Sequence, residues 1–374
     1  MIINEQAYLF LGIMNRKSIS RIAWTFVALL SIVIKSVSYF PAIVEKYYTY
    51  GIYPIISRIL RILLGWIPFS IGDIFYSLII IWLIRKIFIL IKRIKARQIN
   101  RSALWPFVKQ FVFIFLWIYV IFYGLWGLNY SRTGISAQLS LAEKTYTTAD
   151  LDTLTTLLQQ RLNQYAGVLT PTMRNSLRKH KNLFNEASKA YKIAEKKYPF
   201  LQYSPISVKP SIFSYLGNYL GFQGYYNPFS GEAQVNTTIP SFEEPFVTTH
   251  EIAHQLGYGK ENEANFVGFL ACRLHPSPDF KYSVYYDMYH YSIGELYQRD
   301  SVLALRKDSL LHPQVLKDRK AYREFYKKYR NPFEPVITWA YSHFLKANNQ
   351  PNGKETYDEV VVWLVAYYKK YNDI

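Results

Sequence analysis

Thr249-His250-Glu251-Ile252-Ala253-His254-Gln255-Leu256-Gly257 is followed almost at once by Glu261-Asn262-Glu263-Ala264-Asn265. The first run reads H-E-x-x-H. Residues four apart share one face of a helix, so His250 and His254 both reach a single zinc ion. Glu251 stands beside them, where it polarises a water molecule. Pro245 suits a first helical turn, and Gly257 and Gly259 supply the backbone freedom that a helix end and a reversal require. The stretch is therefore framed as one short helix with a turn behind it. Three fixed positions recur by chance in many proteins, so the motif alone is a weak signal; the framing strengthens it. A catalytic zinc takes three protein ligands and keeps one position open. Glu261 and Asn265, again four apart, offer a carboxylate for the metal and an amide that hydrogen-bonds a ligand from behind.

A metzincin would carry His at position 260, where this chain has Lys260. The acidic element instead resembles the E-x-x-A-D/N helix of gluzincin metallopeptidases, among them the membrane-bound prenyl-protein proteases and the phage anti-repressor peptidases. That resemblance implies that Glu261 is the third zinc ligand and that Asn265 orients a ligand histidine. The chain also resembles, over most of its length, an uncharacterised family of bacterial membrane-anchored proteins. These have three hydrophobic segments, then a G-E-A-x-V-N stretch (here Gly231-Glu232-Ala233-Gln234-Val235-Asn236), H-E-x-A-H-Q and E-x-E-A-N. This likeness implies a bacterial inner (cytoplasmic) membrane protein and brings no substrate with it. Only six residues separate His254 from Glu261, fewer than in most gluzincins, which leaves Glu263 as a rival third ligand.

The composition divides the chain in two. Residues 1–127 hold 15 Lys/Arg against 3 Asp/Glu, while residues 128–374 hold 29 against 23, so the net charge of +18 sits mainly in the hydrophobic half. A basic excess placed there follows membrane topology rather than nucleic acid. With no basic helix or recognised binding fold, nucleic-acid binding is not expected. Cys272 is the single cysteine, which excludes an intramolecular disulfide and cysteine metal clusters. It is expected as a small buried residue on the Glu261 helix.

Roughly 20 apolar residues cross a bilayer, and three segments qualify, at about 22–40, 71–91 and 111–128. Residues 1–128 are therefore expected to form a three-span membrane anchor, and 129–374 a separate domain. Lys92, Arg93, Lys95, Arg97 and Arg101 cluster between spans two and three, and Arg16, Lys17 and Arg21 precede span one. Cytoplasmic loops carry such charges, so residues 129–374 are expected outside the cytoplasm. Tyr53 to Phe69 mixes apolar residues with Arg58 and Arg61; it reads equally as an interfacial amphipathic helix and as a segment packed on the spans.

Beyond residue 128, Leu151, Leu154, Leu157, Leu158 and Leu162 mark an amphipathic helix begun near Thr148. A second is expected from Thr170-Pro171 to about Lys197, and a last one from about Thr356 to Tyr371. Ile206-Ser207-Val208 and Glu232 to Asn236 alternate like short strands. By likeness to zincins, whose metal helix lies beside an edge strand that pairs with extended substrate, Glu232, Val235 and Asn236 are the candidate substrate-binding residues. An internal strand with both edges taken is the equal alternative. His290, on an aromatic helix from Tyr282 to Tyr297, is a minor candidate for an oxyanion donor.

The fold class expected is mainly α: three transmembrane helices followed by an α+β zincin-like metallopeptidase domain. The function expected is a zinc metallopeptidase acting on a peptide or protein substrate, with the lipid bilayer as its standing partner. Zn2+ held by His250, His254 and Glu261 would activate water, and Glu251 would serve as general base. Two alternatives stand beside it. One is an inactive zincin-like protein that binds peptide or envelope components; the other is a structural zinc site closed by Glu263. An intramembrane protease is disfavoured because Glu243, Glu244, Lys260 and Glu261 flank the motif closely.

Overall fold

Three long apolar helices open the chain in the computed structural model, which describes residues 16–96, 101–141, 145–176, 180–357 and 359–374. They are α1 (Arg16–Val37), α3 (Ile71–Lys95) and α4 (Arg101–Leu125), with a shorter α2 (Tyr53–Leu64) between the first two. The segments Ser20–Val37, Ile71–Lys95 and Val108–Leu125 are each long and apolar enough to cross a membrane. α1 packs along α4, where the Trp24 and Phe113 rings lie 5.1 Å apart. It stops at Val37, short of the expected residue 40, because a turn precedes Pro41, and the residue before a proline avoids helical backbone. α3 starts where expected, capped by Ser70, whose Oγ accepts from the Asp73 N–H at 2.9 Å. It runs past residue 91 to Lys95. Arg97 of the basic cluster lies outside the described residues.

α2 inverts the usual pattern of a soluble helix. Its polar Ser57 and Arg61 are buried, whereas Ile55, Ile59, Ile62 and Leu63 face outward. The inward residues reach the end of a later helix. Tyr53 Oη and Ser57 Oγ both donate to the Gln255 carbonyl, at 2.7 and 3.1 Å.

Among the helices that follow are α5 (Thr148–Val168), α6 (His180–Ala194), α7 (Ser214–Leu220), α8 (Glu244–Gln255), α9 (Glu261–Cys272), α10 (Pro278–Arg299), α11 (Ser301–Asp308), α12 (Pro313–Tyr329), α13 (Glu334–Ala347) and α14 (Val360–Tyr371). α5 opens on a capping box in which Thr147 and Asp150 satisfy each other's backbone N–H groups. Its Leu151, Leu154, Leu158 and Leu162 are fully buried, packed largely on α10. The helix expected from Thr170 onward appears as Pro171–Ser176 and α6, with residues 177–179 between them outside the described residues. α8 and α9 form the central pair, and Cys272 is buried at the end of α9 as expected.

One three-stranded sheet completes the otherwise helical fold: β1 (Val208–Pro210), β2 (Gly224–Asn227) and β3 (Glu232–Val235), in the order β1-β3-β2. β3 pairs parallel to β1 with Val208 opposite Ala233, and antiparallel to β2 with Gly224 opposite Val235. This corrects the expectation that Glu232 to Asn236 is a free edge. The strand is central, its hydrogen-bonding groups are taken on both sides, and Glu232, Val235 and Asn236 are buried. The Glu232 carboxylate accepts from the N–H groups of Ile71 (3.2 Å) and Gly72 (2.7 Å) and from Ser230 Oγ (2.9 Å). It thus caps the first turn of α3, where helix N–H groups and dipole favour an anion. Asn236 donates to Asn218 Oδ1 at 2.8 Å and accepts from the Thr238 N–H at 3.0 Å.

Candidate metal centre

Pro245 in its first turn and a left-handed Gly257 (φ 85°) just beyond its end frame α8 as a short helix. A side chain at position 257 would stand 3.0 Å from Asn129 Oδ1 and from the Tyr53 ring, so glycine meets both the backbone angle and the close approach. The last carbonyls of α8 lack helical partners and find them in the N-terminal part of the chain. Trp126 Nε1 donates to the His254 carbonyl at 2.9 Å, and Arg132 donates to the Gly257 carbonyl at 3.1 Å. α8 is thus gripped by residues from both sides of position 128.

His250 and His254 project from one face of α8, and Glu261 meets them from the first turn of α9. The Nε2 atoms of the two histidines are 3.1 Å apart, and Glu261 Oε2 lies 3.3 Å from one and 3.4 Å from the other. Ligands about 2.0–2.2 Å from a tetrahedral zinc stand roughly 3.3 Å from one another, so this triangle has the size of three such ligand atoms. All three residues are buried.

The atoms behind the triangle decide its chemistry. His254 Nδ1 lies 2.7 Å from the Tyr258 carbonyl. A carbonyl only accepts, so Nδ1 carries a proton and Nε2 is the nitrogen left facing Glu261. The Asn265 side chain hydrogen-bonds His250. Tyr341 Oη donates to Glu261 Oε1 at 3.0 Å, and Gln350 Oε1 accepts from the Glu261 N–H at 2.9 Å. Ligands held from behind in this way are characteristic of metal sites. Nothing in the sequence singled out Tyr341 among 34 tyrosines, or Gln350 so far from the motif.

Burial disfavours a charged His254, but the neighbouring Glu261 carboxylate outweighs it and raises the imidazole to about 9. Burial likewise opposes the charged form of Glu261, and the two histidines overcome it, holding that carboxyl well below the usual range. Burial lowers His250. The group behaves as an imidazolium–carboxylate pair, and a cation seated in the triangle displaces that proton.

Glu251 is buried against β2. Burial pushes its carboxyl up to about 8, and its Oε2 has no hydrogen-bond partner among the described residues. A Cβ at Gly224 would fall 2.5 Å from Glu251 Oε1, so only glycine lets the strand pass so close. Glu263, the rival ligand, turns away; its carboxylate lies against Gly134 and within 3.5 Å of Lys260 Nζ. His290 is exposed, with Tyr291 and Tyr322 as its ring neighbours rather than the histidine pair.

No curated protein and no solved structure matches the chain. A family profile matches residues 48–365, a span that runs from the segment ahead of α2, through the whole triangle, into α14. The chain belongs to the family described as a protein of unknown function, DUF3810.

Proposed function

We propose that this chain is a membrane-anchored zinc metallopeptidase in which Glu251 acts as general base, a zincin-like site built on a mainly helical frame. The observation that supports it is the triangle of His250 Nε2, His254 Nε2 and Glu261 Oε2, spaced at 3.1–3.4 Å. His250, His254 and Glu261 would hold a zinc ion, which would supply Lewis acidity and lower the pKa of water from about 15.7 towards 7. Asn265 and the Tyr258 carbonyl keep the two rings turned inward, and Tyr341 occupies Glu261 Oε1 so that Oε2 stays with the histidines. Glu251, whose open Oε2 has no competing partner among the described residues, takes a proton from the attacking water and returns it to the leaving amine. The outer edge of β2 takes the role first assigned to β3. It is the sheet edge beside Glu251, and an extended chain laid along it by β-augmentation passes the base. The basic cluster between α3 and α4 supports a site outside the cytoplasm, on the outer side of a bacterial inner membrane.

A binding domain without turnover would use the same site. A closed structural zinc site is disfavoured by a specific observation: the described residues bring three metal-ligating side chains together, and Glu263 is not a fourth. The test uses the full chain in detergent. Zinc is measured by elemental analysis, and hydrolysis of a mixed peptide library is followed by mass spectrometry. About one zinc per chain is expected in the wild type and in Glu251→Gln, and none in His254→Ala or Glu261→Gln. Cleavage should fall at least ~10²-fold in Glu251→Gln. A wild type that takes up no zinc sinks the reading, and a Glu251→Gln enzyme with undiminished turnover removes Glu251 as the base.

A further inference from the structure

Soluble domains rarely keep a contiguous apolar patch larger than a few hundred Å². Two helices beside the triangle depart from that rule. On and just ahead of α7, Ile212, Tyr215, Leu216, Tyr219 and Leu220 are exposed, Leu216 by 49 %. Their spacing of three and four puts them on one stripe, and no charged residue lies between Ser211 and Gly221. On and just ahead of α13, Phe333, Val336, Trp339 and Phe344 are exposed, Trp339 by 63 %. No Asp, Glu, Lys or Arg lies between Pro335 and Leu345.

The position of these helices says what covers them. Ile212 N–H donates to Asp73 Oδ2 at 2.8 Å, in the first turn of α3. At the other helix, Tyr123 Oη in the last turn of α4 donates to Asn348 Oδ1 at 2.8 Å, and the Phe122 and Phe344 rings lie 6.5 Å apart. Each stripe therefore abuts the end of a segment apolar enough to cross a membrane. The two helices pack on each other, and Asn331 joins them by donating to the Tyr219 carbonyl at 2.8 Å. At that join Lys327, Lys328 and Arg330 are exposed, and cations at the rim of an apolar surface suit lipid phosphates. The same helices flank the triangle: α13 carries Tyr341 onto Glu261, and α7 leads through Phe222 into β2 beside Glu251.

We propose that α7 and α13 seat their apolar stripes in the bilayer leaflet on the soluble side of the spans, so that the triangle they flank lies at the membrane surface. Lys327, Lys328 and Arg330 meet the headgroups, and Leu216 and Trp339 reach the acyl region. Continuity with α3 and α4 makes lipid, rather than a second protein, the occupant. The proposal stands apart from the hydrolytic reading, because its test needs no turnover.

The full chain is reconstituted in phosphatidylethanolamine–phosphatidylglycerol vesicles at high lipid excess. Spin labels are placed at Leu216→Cys and Trp339→Cys in a Cys272→Ala background, with exposed Lys192→Cys on α6 as control. Collision with oxygen, which partitions into lipid, is compared with collision with a water-soluble nickel chelate. At 216 and 339 the oxygen signal should exceed the chelate signal several-fold, and at 192 the order should reverse. Labels at 216 and 339 reached freely by the chelate overturn the proposal. So do labels shielded from both reagents, as in a protein–protein contact. Tyr219→Cys and Val336→Cys, on the same stripes, decide the matter if either first variant does not fold.

Discussion

The Tyr258 carbonyl holds a proton on His254 Nδ1 and leaves Nε2 to face the triangle, while the Asn265 side chain hydrogen-bonds His250. The i, i+4 spacing of His250 with His254 and of Glu261 with Asn265 was enough to read that group, because helical periodicity turns spacing into direction. The choice between Glu261 and Glu263 needed coordinates. Both lie in the first turn of α9, and two positions along a helix send their carboxylates to different neighbours, the histidines in one case and Gly134 with Lys260 in the other. Asn265 tests the site at this scale. Removing a residue that orients a metal ligand costs ~10–100-fold in affinity, so Asn265→Ala should weaken zinc binding by about that factor, read by competition with a chromogenic chelator. Unchanged affinity would mean that the amide supports the helix and not the metal.

At the scale of elements, the alternation around Glu232 identified a strand but not its neighbours. Which strand lies at the edge depends on which others pair with it, and the partner Val208–Pro210 is local in neither sequence nor pattern. Glu232 turned out to join the sheet to α3. Glu232→Ala leaves the Gly72 N–H buried without its acceptor, and should cost ~1–3 kcal/mol of stability. Thermal unfolding in detergent measures it, and an unaffected midpoint would show that water replaces the cap at no cost.

A carboxyl pair lies at the other end of α8, where Glu243 precedes the helix and Asp287 sits on α10. One oxygen of each is buried without a hydrogen-bond partner among the described residues. Burial raises both, and the Asp287 charge raises Glu243 further. Carboxyls raised in the fold hold protons that the unfolded chain has lost above its pKa of ~4. Stability from this pair is therefore full below about pH 4 and drains away as pH rises toward the folded values. Asp287→Asn, which cannot ionise, should gain in melting temperature relative to the wild type between pH 5 and pH 8. A difference that stays constant with pH would show that the pair does not titrate with folding.

Across the whole molecule, the boundary drawn at residue 128 from composition is crossed by buried hydrogen bonds. Tyr53, Ser57 and Trp126 cap carbonyls of α8, and Ser70 to Gly72 surround Glu232. A fragment 129–374 loses all of these. It should show weakened near-ultraviolet circular dichroism and little zinc beside the full chain. A fragment that binds zinc as tightly as the intact protein would restore the boundary as a true domain border.

Apolar length, charge placement and helical spacing were enough to specify the three span-like helices, the mainly helical class and the candidates His250, Glu251, His254 and Asn265, with Glu261 or Glu263 beside them. Each is a local property, in which a residue's neighbours along the chain are its neighbours in space. The central place of β3, the grip of Trp126 and α2 on α8, the hold of Tyr341 on Glu261 and the passage of Gly224 beside Glu251 arise from contacts between distant segments. Such contacts are selected by how the packed elements bury apolar surface and satisfy one another's backbone groups, and only the assembled tertiary structure decides them.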